Sequence, residues 1–249
     1  MRIRLFGLLI LVGLFACTNN TSEESDKKIL SVAVASNLKL PLDSLIKHFQ
    51  GDFEVDISTN ATGLLATQIY LGAPYDVFIV AGKSHIDTLN EYDLLEKVTP
   101  LVNGPLVFAY TSDTTYSKIE DALGASEFNK IGIPNPDLAP YGLMAMAWVG
   151  TRWGGELPAN WIHAESVNQV NHFLNTEAVN AAFTASSFKA KFKNDYQFID
   201  LPEKYKVPIA ICDLKCADES KKHEVDQFIN FVQSKQGKDI LSYFGYTTE

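Results

Sequence analysis

Ser58-Thr-Asn-Ala-Thr62-Gly63-Leu-Leu-Ala-Thr-Gln-Ile69-Tyr-Leu-Gly72-Ala-Pro74-Tyr-Asp76-Val-Phe-Ile-Val80 is the stretch that decides the fold. It reads as the end of an extended segment, a hydroxyl-bearing turn, a helix over 63–71, a tight Gly/Pro turn and a buried strand over 76–81. Thr62 stands where the helix N-cap belongs. A short hydroxyl side chain, the small Gly63 behind it and the unpaired N–H groups of a first turn together suit an anion. One such turn is usually only a cap, so the reading depends on what the rest of the chain repeats.

The repetition is visible on both sides of this stretch. Ile29–Ala35 is a short apolar run suited to a strand buried on both faces. Leu38–Phe49 carries Leu42, Leu45, Ile46 and Phe49 at helical spacing, with Pro41 in its first turn. Phe53–Ser58 is a second strand and His85–Tyr92 a further helix. Asn103-Gly-Pro105 turns the chain, and Leu106–Tyr110 is a strand able to carry it into a second lobe. There the alternation restarts, with strands at 131–134, 163–167 and 181–185 and helices at 140–151 and 168–175. Val207–Ile211 is the candidate return crossing. Val225, Phe228, Ile229 and Val232 predict a helix, and after Gly237 a last one holds Ile240, Leu241 and Phe244. Such alternation predicts an α/β protein of two lobes with mixed, mostly parallel sheets joined by two hinge crossings. Lobe I is expected over 29–107 and 212–249, and lobe II over 108–211.

The leader and the charge narrow the function classes. Arg2 and Arg4 precede an apolar run over Leu5–Phe15 that ends in Ala16-Cys17. This resembles a bacterial lipoprotein signal over 1–16, cleaved before a lipidated Cys17; an ordinary secretory signal or a short anchor is the alternative. Residues 17–28 are polar and unpatterned, as a tether would be. The expected location is the periplasmic face of the cell envelope, with the body touching membrane only through lipid. A formal net charge of −9 argues against nucleic acid as a partner. Cys212 and Cys216 form a C-x3-C pair, readable as a disulfide in an oxidising compartment or as free thiols; without a neighbouring His it is weak evidence for a metal.

Four strand-to-helix turns carry candidate ligand groups: Ser36-Asn37, Thr62-Gly63, Ala139-Pro-Tyr141-Gly142 and Ser166-Val167-Asn168. None contains Lys, Arg, Asp or Glu. Neutral donors with partial helix charges suit a small, fully ionised oxyanion. Phosphate, partly protonated near neutrality, asks for a carboxylate acceptor that these turns lack, and ferric ion asks for clustered tyrosines and acids. Asp76 is read as a structural acceptor of loop amides, and Trp148, Trp153 and Trp161 as core or lobe surface. His48, His85, His163, His172 and His223 are scattered, and no Gly-x-Ser-x-Gly elbow occurs, so the chain is read as no enzyme.

Ala35-Ser36-Asn37-Leu38, Thr62–Ile69, Gly72–Ile79, Ala139–Gly142 and the closing Ser234–Tyr246 resemble, in this order, the periplasmic molybdate-binding proteins. The resemblance implies a type II periplasmic-binding-protein fold holding molybdate or tungstate between the lobes, for delivery to the permease of an ABC importer. It implies a monomer with no cofactor and no direct protein–metal ligand. The implied contacts are hydroxyl and backbone donors from Ser36 and Asn37, a hydroxyl and amide from Thr62 beside Gly63, and the amides of Tyr141 and Val167. Some members add a tyrosine hydroxyl where this chain has Thr184, a shorter side chain. Sulfate is the chemically close alternative ligand, and a lipid-anchored sensor or adhesin that kept the clamp without transport is the alternative role.

Overall fold

The computed structural model describes residues 28–124, 128–153, 161–215 and 218–248. The expected leader over 1–16, Cys17, nearly all of the tether and Cys216 lie outside them. Lobe I has a five-stranded sheet in the order β2-β1-β3-β10-β4, from β1 (Ile29–Ala35), β2 (Glu54–Asn60), β3 (Val77–Ala81), β4 (Leu95–Gly104) and β10 (Val207–Leu214). Lobe II repeats the plan as β7-β6-β8-β5-β9, from β5 (Leu106–Tyr110), β6 (Ile131–Pro134), β7 (Trp161–Ala164), β8 (Ala181–Ala185) and β9 (Gln197–Asp200). In each sheet the first three strands run parallel and the last two pairings are antiparallel. The sheets are therefore mixed, with less parallel pairing than the alternation suggested.

The helices are α1 (Lys39–His48), α2 (Thr62–Tyr70), α3 (Ser84–Glu91), α4 (Ile119–Gly124), α5 (Pro140–Trp153), α6 (Val167–Asn175), α7 (Ser186–Phe192), α8 (Lys222–Gln233) and α9 (Lys235–Tyr243). None of the described helices is long and apolar enough to cross a membrane. Strands β3, β5 and β8 are buried at every position, as continuous apolar runs covered on both faces must be. Phe78, Val80 and Cys212 join Leu65 and Ile69 of α2 on one face of the first sheet. Burial of each such large side chain stabilises the lobe by about 1.5–3 kcal/mol.

Three differences from the sequence reading have physical causes. The lobes change over at Pro105 and just before Val207, because β5 pairs along its whole length within the second sheet and β10 within the first. Pro105 has no N–H to give to a ladder, so the crossing falls there. Strand β4 was not expected, since Pro100 interrupts it. It survives as an edge strand with a bulge at Leu101, Ile209 pairing with Val102 and Ala210 with Pro100. The last two helices divide at Ser234, not Gly237: the Ser234 hydroxyl accepts from the Gly237 N–H at 3.1 Å and caps α9. Cys212 is a buried free thiol in β10, its pKa pushed up to about 12 by burial and then by Asp213. The partner in the disulfide reading, Cys216, lies outside the described residues.

Candidate functional site

At the carboxyl end of β1 the chain turns at once into a 3-10 turn, Ser36–Leu38, and from β2 into α2. Thr62 is the first residue of α2 rather than its cap; the N-cap is Ala61, with no side-chain bond to the helix. The Thr62 hydroxyl is thus not spent on capping. Ser36 and Thr62 are 4% and 2% exposed, and neither hydroxyl is bonded to another described residue.

Lobe II presents main chain instead. Pro140 opens α5 with its fixed φ, leaving the Tyr141 N–H in the first turn. Ser166 caps α6 by accepting from the Gln169 N–H at 3.2 Å, which engages a lone pair of its hydroxyl oxygen, while the Val167 N–H has no acceptor among the described residues. First-turn N–H groups have no acceptor inside their own helix. Those of Thr62, Tyr141 and Val167 find none elsewhere among the described residues. Thr184 is fully buried on β8, and its hydroxyl donates to Asn171 Oδ1. In this arrangement the Thr184 proton is given to Asn171.

The two halves meet at a buried hydrogen-bonded seam. Asn37 Nδ2 donates to Tyr246 Oη at 3.0 Å and approaches Tyr141 Oη at 3.4 Å. The Asn37 carbonyl accepts from Tyr246 Oη and from Ser187 Oγ, both at 2.8 Å. One residue of lobe I therefore ties down α5, α7 and the C-terminal segment through its Nδ2 and carbonyl, and its N–H is left for the cleft. Burial holds the Tyr141 phenol well above its usual pKa and takes Tyr246 up to about 12, so both stay protonated as the seam requires. Gly63 also differs from expectation: its N–H donates to the Leu138 carbonyl of lobe II at 2.9 Å, a lobe-to-lobe bond. Beside it, a groove of about 370 Å³ is lined by Tyr70, His85 and Tyr92 of lobe I and Asp137 and Leu138 of lobe II. Burial lowers the His85 pKa.

Ser36, Asn37, Thr62, Gly63 and Tyr141 thus converge at the lobe boundary, and α6, opening with Val167, packs against the Ser36–Leu38 turn. Asp76 is where a structural acceptor would be, at the opposite end of β3, taking the Ser31 N–H at 2.8 Å and the Lys221 ammonium at 3.1 Å. Trp148 packs near Phe183 with Arg152 over its ring, and Trp161 stacks on Phe183. Sequence reasoning missed Ser187 and Tyr246. A signal for the first was available, since Ala185-Ser-Ser187 is another hydroxyl-marked strand-to-helix turn. Among the described residues no cluster of three or more His, Cys, Asp or Glu is arranged to hold a metal ion.

The chain's known relatives agree with this architecture. The family model for bacterial extracellular solute-binding proteins matches residues 30–247. YvgL of Bacillus subtilis (strain 168), provisionally named an ABC transporter substrate-binding lipoprotein, is 23% identical over 93% of this chain and 92% of its own length. The molybdate-binding protein ModA of Azotobacter vinelandii is 29% identical over 70% of this chain and 69% of its own. The solved periplasmic molybdate-binding protein of Azotobacter vinelandii superposes with a TM-score of 0.80 at 23% identity, covering 88% of this chain and 99% of that one.

Proposed function

The chain belongs to the bacterial extracellular solute-binding proteins and carries their two-lobed type II fold, and from that premise we propose that its solute is molybdate, with tungstate bound alike. As a member of this family it is a binding protein and not an enzyme.

The observation that carries the reading is the pairing of two uncommitted hydroxyls, on Ser36 and Thr62, with uncommitted first-turn N–H groups at Thr62, Tyr141 and Val167. All are donors, none is a full charge, and they come from both lobes. A dehydrated tetrahedral dianion offers four oxygens to such a set and needs no proton acceptor in return. Helix N-termini supply the compensating partial positive charge. Hydrogen bonds to a charged acceptor are about twice as strong as neutral ones, which suits neutral donors to the task. The relatives named for molybdate support the choice of this anion.

In this reading the protein captures the anion outside the cytoplasmic membrane, held there by lipid on Cys17, and delivers it to the permease of an ABC importer. Titration calorimetry with molybdate, tungstate, sulfate and phosphate tests the ligand. Binding of molybdate and tungstate at one ion per chain, with phosphate silent, is the expected outcome. Tight sulfate binding with no molybdate binding would reassign the site.

A further inference from the structure

One short segment of lobe II, Leu138–Tyr141, reaches lobe I, and three of its four residues lie against glycines of lobe I. A Cβ on Gly63, in α2, would lie 3.3 Å from the Leu138 Cα and carbonyl oxygen. On Gly82, just after β3, it would meet the Pro140 ring at 2.7 Å, and on Gly104, the last residue of β4, the Tyr141 hydroxyl at 1.9 Å. Two polar contacts fix the same segment: the Gly63 N–H to Leu138 bond at 2.9 Å and the approach of Asn37 Nδ2 to Tyr141 Oη at 3.4 Å.

We infer that Gly63, Gly82 and Gly104 are positioning residues, a side-chain-free seat that receives Leu138–Tyr141 when the lobes close. The inference rests on the molybdate reading for its ligand, while the seat itself is a property of the lobes. The segment ends in the residue whose N–H is offered to the anion, so its fit into the seat places that donor. At Gly63 the Cβ would meet the His85 ring carbon at 3.2 Å and the Leu138 main chain at 3.3 Å, and the main chain cannot rotate aside as a side chain can. A methyl there holds the lobes apart and withdraws the Tyr141 and Val167 amides from the Ser36 and Thr62 hydroxyls. Affinity then falls by the fraction of molecules still able to close, so tenfold less closed form costs about tenfold in affinity.

Gly63→Ala and Gly104→Ala test this, with Gly124→Ala as the control, since a Cβ on Gly124 meets nothing within 4 Å. Each is measured for molybdate affinity and dissociation rate, for ligand-free melting temperature, and for radius of gyration by solution scattering with and without molybdate. The expected result is roughly tenfold faster dissociation in both seat variants, with a radius that no longer contracts on molybdate and a ligand-free melting temperature close to that of the control. Adding Tyr141→Phe to Gly104→Ala removes the obstructing oxygen and restores part of the affinity. Wild-type dissociation in both seat variants, or affinity lost only in step with melting temperature and without rescue, overturns the seat. Should the wild type bind no tetrahedral anion, the molybdate reading fails by itself. Scattering of the ligand-free proteins then decides the seat: a wild type more compact than both variants supports it, and equal radii overturn it.

Discussion

The two lobes share one plan and use it differently. In each, the central parallel strand and the edge parallel strand beside it (β1 and β2, then β6 and β7) end in the turns that face the cleft. Lobe I fills those turns with hydroxyls left out of capping, Ser36 and Thr62. Lobe II fills them with a proline-started helix and a serine-capped one, which offer chiefly amides. In the proposed reading, identical topology thus yields recognition by side chains on one wall and chiefly by main chain on the other. The difference teaches where substitution should matter: lobe I's contribution is written in residue identity, lobe II's in backbone geometry.

The largest effect should come from erasing that identity. Ser36→Ala and Thr62→Ala each remove one hydroxyl from a charged acceptor and should weaken molybdate binding by about 1.5–3 kcal/mol. Val167→Ala, on the opposite wall, keeps its N–H. It should lower the melting temperature through lost packing, since Val167 is 2% exposed in the core, while leaving calorimetric affinity close to wild type. Equal affinity losses on both walls would erase the distinction between them.

Asn37 joins the walls, and its loss should be felt as stability. Asn37→Ala strips two buried phenols of their donor and should cost about 1–3 kcal/mol of unfolding free energy by denaturant titration. A merely local turn residue at an exposed site would stay within about 0.5 kcal/mol. Asn37→Ala at wild-type stability would leave the lobes to be held by Gly63–Leu138, the Ser187 bond to the carbonyl of residue 37 and the apolar seam.

The same contrast explains how much could be read from the chain. The strands and helices of lobe I were legible because apolar period and turn residues agreed at every step from Ile29 to Glu91. So was the convergence of Ser36, Thr62, Tyr141 and Val167, because each follows a strand and opens a helix or turn. Strand β4 was hidden by Pro100, whose place at a bulge on an edge depends on pairing with β10, more than a hundred residues later. Helix α7 and strand β9 were hidden because no apolar period was found between the strand at Ala181–Ala185 and the one at Val207–Ile211. The commitments of Thr184 to Asn171, of Gly63 to Leu138 and of Asn37 to two tyrosines are tertiary facts. Residue type alone offers the donor and says nothing of who takes it.

The smallest effect expected is one of pH, and it too is lobe-specific. His85 lies on α3 of lobe I in the groove shared with Asp137 and Leu138, and burial lowers its pKa below 6.5. Burial therefore favours the neutral ring in the folded state, while the unfolded chain takes up a proton near pH 6.5. Stability from this site is complete above that pH and is lost as pH falls below it toward the folded pKa, because there the unfolded state binds more protons. His85→Gln should flatten the decline of melting temperature between pH 7.5 and 5 without changing its value at pH 7.5. Asp137 on the facing loop is the group able to oppose this, since a carboxylate close to the ring would favour the charged form. A wild-type melting temperature that rises on acidification through this range, and ceases to rise in His85→Gln, would show that Asp137 and not burial governs the ring, and that this lip of the cleft is held by charge rather than by the neutral contacts found everywhere else along the seam.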